Sequence, residues 1–132
     1  MNIKTTTAKA SLLATVALLA VPAVATSAQA KGGDAVRNSV TCATGTIKVK
    51  AKVDDGMLEV EGEVDTNRVG QTWNWGIMRN GTVVAQGSKV TAAPSGSFSV
   101  SRRIANPAGK DTIMFRAVRP ATGRVCSVSV QV

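Results

Sequence analysis

The stretch from Lys48 to Val64, KVKAKVDDGMLEVEGEV, alternates apolar and charged residues on both sides of an Asp-Gly pair. A period of two is typical of a β-strand with one buried face and one solvated face. Asp55-Gly56 suits a two-residue type I′ turn, which would place Val53 opposite Leu58. The same register pairs three lysines with three glutamates: Lys52 with Glu59, Lys50 with Glu61 and Lys48 with Glu63. The stretch therefore predicts an antiparallel hairpin whose charges form a solvated outer face and not a catalytic site.

The remainder of the chain predicts an all-β fold. Short alternating runs are separated by turn sequences such as DTNRVG, AAPSG, NPAG and PATG, and no long segment has helical periodicity. A second hairpin is expected to turn at Asn80-Gly81, pairing Met78 with Val83 and Ile77 with Val84. A third is expected to turn between Pro120 and Gly123. The pattern indicates a single antiparallel β-sandwich of about seven strands.

The first 30 residues differ from the rest of the chain. They contain two lysines, an apolar run and two small residues, in the order Lys4, Lys9, Ala10 to Val21, Ala28 and Ala30. This order predicts a secretory signal peptide that is cleaved after Ala30. The alternative is an uncleaved anchor, but the run is shorter than the roughly 20 apolar residues that a spanning helix needs. We expect an exported protein with a flexible lead-in over 31–41 and one domain over 42–132.

Two cysteines, Cys42 and Cys126, lie near opposite ends of this expected mature chain. Exported proteins meet an oxidising compartment, so the two thiols are predicted to form a disulfide between the first and last strands. The alternative is a pair of separate reactive thiols.

The order of the strands resembles that of an immunoglobulin-like sandwich over residues 41 to 132. The last hairpin would supply the F and G strands, and WNWGI would be the strand that carries the core tryptophan. The segment AGKDTIMFRAVRPATGRVC also looks like the final hairpin of small secreted bacterial Ig-like proteins. The usual inter-sheet cysteines and corner tyrosine of the family are missing. The resemblance implies a fold and no common activity.

The residue types in the chain restrict its chemistry. It contains no histidine, which excludes histidine-dependent triads and imidazole metal sites. We therefore expect a protein that is not an enzyme and that uses no metal or cofactor. Trp73 and Trp75 fall on the same side of one strand. Trp75 is expected in the core, whereas Trp73, nearer the end of the strand, is a candidate aromatic contact for a ligand.

The charge is strongly positive and unevenly distributed. Sixteen basic residues face eight acidic ones, and residues 66 to 132 contain nine bases but only one acid, Asp111. Arg102, Arg103, Arg119 and Arg124 are candidates for a basic loop surface that binds an anion. The arginines are not interleaved with exposed aromatic residues, so nucleic acid is not the expected partner. The alternative is that the charge only aids solubility.

A second candidate surface is apolar. The predicted outer face of the last two hairpins carries five apolar residues around one arginine: Met78, Val83, Met114, Val118 and Val125, with Arg116 among them. A sheet with two apolar faces needs a cover, which could be the lead-in, a second copy or another protein.

The sequence thus favours a secreted, non-enzymatic binding protein with an anionic cell-envelope polymer or a protein as its partner. Two alternatives remain open. One is a carrier of a small apolar ligand, of the chromoprotein type. The other is a secreted enzyme inhibitor that uses the loop RPATGR, Arg119 to Arg124.

Overall fold

A computed structural model of the protein describes residues 33–132, so the predicted signal peptide lies outside the described residues. The eight strands are β1 (Val36–Cys42), β2 (Gly45–Asp54), β3 (Met57–Asp65), β4 (Thr72–Arg79), β5 (Thr82–Val90), β6 (Ser97–Ala105), β7 (Thr112–Arg119) and β8 (Arg124–Gln131). They form two antiparallel sheets, ordered β1-β2-β3-β6 and β5-β4-β7-β8. The predicted all-β sandwich is confirmed. Within residues 33–132 no helix is long and apolar enough to cross a membrane.

The first predicted hairpin is confirmed residue by residue. Val53 lies opposite Leu58, and each of the three lysines lies opposite its predicted glutamate. Asp55 and Gly56 have φ values of 48° and 73°, as a type I′ turn requires. Lys50 contacts Glu61, and Lys48 lies 3.6 Å from Glu63. The outer face of this hairpin is a row of partly exposed ion pairs.

The second hairpin corrects one prediction. Met78 lies opposite Val83 as expected, but Ile77 pairs with Ala85 and not with Val84. A β-bulge between Ile77 and Met78 leaves Val84 as the extra residue, and Val84 packs against the core together with Ala85. Neither face of this hairpin is clearly polar, so the alternation could not reveal the shift in register.

Strand β1 corrects the expected flexible lead-in and raises the number of strands from about seven to eight. Val36–Cys42 pairs with β2 over its whole length. Of its seven residues, only Val36 and Cys42 are partly buried, and both pack against the core. A strand whose middle residues are exposed shows no apolar alternation, so its pairing is determined by β2 and not by its own pattern.

The core lies between the sheets, which are joined along one side. Cys42 and Cys126 form the predicted disulfide, which connects β1 with β8. The opposite side is bounded by the edges of β5 and β6, where the Arg102 guanidinium lies 5.0 Å from the centroid of the Trp75 ring. In the middle of the core a Cβ on Gly62 would lie 2.5 Å from the Phe115 ring. Glycine at position 62 therefore makes room for that ring.

Asn80 anchors the turn between β4 and β5, where it has a φ of 50°. Its side-chain nitrogen donates to Asp111 Oδ1 at 2.8 Å, and its side-chain oxygen accepts from the Thr112 N–H at 2.8 Å. Asp111 is only 6% exposed. Asn80 therefore has a structural role in the turn.

Replacing Asn80 by alanine is expected to lower the free energy of unfolding by about 1–3 kcal/mol, because the buried Asp111 carboxylate loses a donor. Asn67→Ala is the matched control, since Asn67 also has positive φ but is exposed. Urea unfolding of both variants measures the difference. Equal losses in the two variants would assign the effect to backbone conformation alone.

Candidate functional site

Four connections meet at one end of the sandwich, here called the loop end. They are the β1–β2 turn (43–44), the β3–β4 loop (66–71), the β5–β6 loop (91–96) and the β7–β8 turn (120–123). Hydrogen bonds join the two longer loops, with the Thr66 N–H donating to Gly96 O and the Gly70 N–H to Thr91 O. The two longer loops therefore form one connected unit at the loop end.

A cleft of about 450 Å³ opens at the loop end. Three arginines line it. Arg68 comes from the β3–β4 loop, and Arg119 and Arg124 come from the β7–β8 hairpin. The rest of the lining is uncharged and consists of Ala43, Thr44, Gly45, Thr66, Gln71 and Thr122. We call these three side chains and their surroundings the arginine cleft.

The backbone of Arg68 is held in place by buried groups. Its carbonyl oxygen accepts hydrogen bonds from the hydroxyls of Thr66 at 3.1 Å and Thr91 at 2.5 Å. Thr91 is only 1% exposed and Thr66 is 9% exposed. Gly96 packs directly on this segment, because a Cβ there would lie 2.2 Å from the Arg68 nitrogen. The structure thus fixes the base of this side chain before any ligand arrives.

Arg119 and Arg124 lie directly opposite each other at the ends of β7 and β8. The turn between them is closed by the Gly123 N–H, which donates to Arg119 O at 2.8 Å. The Arg124 N–H donates to Thr122 Oγ1 at 3.3 Å. Like charges directly opposite each other on a sheet are destabilising. This hairpin therefore starts two like-charged side chains from directly opposite positions, and both line the cleft.

No carboxylate in the described part of the chain balances these charges. Ion pairs within 4.0 Å occur only at Lys48–Glu63, Lys50–Glu61 and Arg103–Asp54 among residues 33–132. None of them involves the arginine cleft. The cleft therefore has an uncompensated positive charge.

The four arginines of the predicted basic loop surface lie in three separate places. Arg119 and Arg124 line the cleft, but Arg103 pairs with Asp54 at 3.1 Å near the opposite end of the sandwich. Arg102 covers the Trp75 ring at the β5 and β6 side. Sequence reasoning missed Arg68, since only the fold brings its loop beside the last hairpin.

The structure does not support Trp73 as a ligand contact. Trp73 is 1% exposed and Trp75 is 4% exposed, so both are part of the core. They point inward together with Ile77, as the period of two in β4 requires. Phe98 and Phe115 are the chain's other aromatic residues, and the core uses all four.

The predicted apolar face is present on the outside of the sheet β5-β4-β7-β8, and we call it the outer face. Met78, Met114 and Val118 are half-buried there, and Arg116 is exposed. Val83 and Val125 are 49% and 50% exposed. Residues 36–41 of the expected lead-in pair with β2 in the other sheet and do not cover this face.

Within residues 33–132, no three acidic, histidine or cysteine side chains lie close enough together to hold a metal ion. No protein-family model matches the chain, and neither the curated proteins nor the solved structures contain a match.

Proposed function

We propose that the protein is an exported, non-enzymatic binding protein that holds an anionic ligand of the cell envelope in the arginine cleft. One observation carries this proposal. Arg119 and Arg124 face each other directly beside Arg68, and no described carboxylate neutralises them. Such an arrangement costs stability in the free protein and gains stability when an anion is bound.

The chemistry of the cleft suits a ligand with phosphate or carboxylate groups. A guanidinium group can donate two parallel hydrogen bonds to either anion. The uncharged lining supplies hydroxyl and amide groups from Thr44, Thr122 and Gln71 for polar atoms of the ligand. An anionic polymer with repeated charges fits an open cleft better than a small enclosed ligand does.

Binding is favoured over catalysis at this site. The side chains that line the cleft include no acid and no lysine, and the chain has no histidine. Arginine is protonated at all physiological pH values and does not serve as a base. A proton transfer in the cleft would have to use a hydroxyl or an amide, neither of which titrates near neutral pH.

The test measures the binding of the mature protein to washed cell envelopes at low salt, by sedimentation. Arg119→Gln combined with Arg124→Gln is expected to reduce the binding constant about a hundredfold, because each lost charge-assisted hydrogen bond is worth roughly 1.5 kcal/mol or more. Wild-type binding should weaken as salt is added.

Arg37→Gln combined with Lys110→Gln is the matched control. It changes the net charge equally, and both residues are exposed and distant from the loop end. The control should bind within about twofold of the wild type. If both double variants lose binding equally, general charge is responsible and the cleft is not the site. A wild-type protein that stays in the supernatant at low salt contradicts the proposal as a whole.

A further inference from the structure

The outer face contains a depression above the middle of β4. It has a volume of about 190 Å³ and is lined by Asn74, Trp75, Gly76, Met78, Val83, Gln86, Arg116 and Val118. Gly76 lies at its centre, opposite Gln86 on β5 and opposite Arg116 on β7. The depression exists because Gly76 has no side chain, whereas the residues around it on the outer face do.

The fold does not require glycine at position 76. A Cβ there would meet only Ala85 O, at 3.9 Å, and the backbone is not in the left-handed region. Two other strand glycines differ, since a Cβ on Gly62 would lie 2.5 Å from Phe115 and one on Gly87 would lie 2.9 Å from Trp75. Glycine inside a strand lowers stability, and it occurs at bulges, such as the one between Ile77 and Met78, and where another molecule approaches closely.

The walls of the depression combine apolar surface with one charge. Met78, Val83 and Val118 provide the apolar part. Arg116 is exposed, and no carboxylate among residues 33–132 lies within 4.0 Å of it. An occupant that matches this surface has an apolar group and a negative charge close together.

We propose that the depression is a docking site for a protein partner that inserts one aliphatic side chain over Gly76 and places a neighbouring carboxylate against Arg116. A second copy of the chain does not fit this role through a symmetric contact between two outer faces. The outer faces of β4, β5, β7 and β8 carry no acid, so two such faces would bring together arginines without a carboxylate between them. This site is independent of the arginine cleft.

The test uses short synthetic peptides with a central Leu-Asp pair, titrated into ¹⁵N-labelled mature protein and followed by NMR. The Leu-Asp peptide is expected to shift the amides of Gly76, Met78, Arg116 and Val118 in a saturable manner. Peptides with Leu-Asn or Ala-Asp in its place should bind at least about fivefold more weakly, since each lacks one of the two matching groups.

Gly76→Val fills the depression and should abolish the shifts while the spectrum stays dispersed, because the added side chain enters open space in a strand. Ser129→Val adds the same side chain to the outer face outside the depression and should leave binding intact. Arg116→Gln should remove the preference for Leu-Asp over Leu-Asn.

Three results would overturn the proposal. The first is unchanged peptide binding by Gly76→Val. The second is the absence of a saturable shift on this face at millimolar Leu-Asp peptide. The third is self-association of the wild type in sedimentation velocity that Gly76→Val abolishes, since this would identify a second copy as the occupant.

Discussion

Replacing Cys42 and Cys126 together by alanine is expected to lower the free energy of unfolding by roughly 4 to 5 kcal/mol. The disulfide closes a loop with a sequence separation of 84 residues, and the chain-entropy model gives this size of effect for such a loop. A small domain has only about 5–15 kcal/mol of net stability, so this loss would remove between about a quarter and all of it. Urea unfolding of the double variant and of the reduced wild type measures the loss.

Without the disulfide, unfolding should begin at β1. β1 pairs only with β2 within its sheet, and its middle residues are exposed. In the reduced protein, hydrogen exchange should therefore be fastest at β1 amides and slowest in the β2–β3 hairpin. A double variant with the same unfolding midpoint as the oxidised wild type would show that the bond contributes little to the fold.

Replacing Trp73 by alanine is expected to cost about 3–5 kcal/mol, the usual range for an aromatic side chain removed from a core. Trp73 is among the largest fully buried side chains, and its indole N–H has no hydrogen-bond partner. Trp73→Phe should therefore cost less, since it retains a ring and loses no hydrogen bond.

The two Trp73 variants also separate the core role from the predicted ligand contact. A core residue affects stability, so the urea midpoint should fall in the order wild type, Trp73→Phe, Trp73→Ala. Envelope binding by the fraction that remains folded should not change. An alanine variant that keeps the wild-type midpoint but loses binding would restore Trp73 as a ligand contact.

The parts of the fold that were predictable from the sequence are those that local chemistry determines. Asp55-Gly56 fixes a turn, the turn fixes the register, and every residue pair from Ile47 to Val64 follows. The bulge beside Met78 was not predictable, because Val83 and Val84 have the same side chain on opposite faces and no polar residue distinguishes them. β1 was missed because its pairing depends on β2 and on a covalent bond.

The candidate site was predictable only in part, for a similar reason. Arg119 and Arg124 are joined by a short turn, so their proximity is local and the sequence shows it. Arg68 reaches them through contacts between distant segments, including the hydrogen bond from the Thr91 hydroxyl to Arg68 O. Arg103 has the same side chain, yet it is neutralised by Asp54 across 49 residues of chain. The sequence gives the net charge of the chain. It does not show which charged side chains form ion pairs and which remain free to bind a ligand.

The disulfide on one side of the sandwich has a mechanical consequence. The covalent bond holds β1 and β8 together, while the β5 and β6 edges are joined by the 91–96 loop and by side-chain contacts, with Arg102 over the Trp75 ring and Arg79 donating a hydrogen bond to Ala105 O at 2.6 Å. The disulfide is therefore expected to limit the separation of the two sheets at the β1 and β8 side.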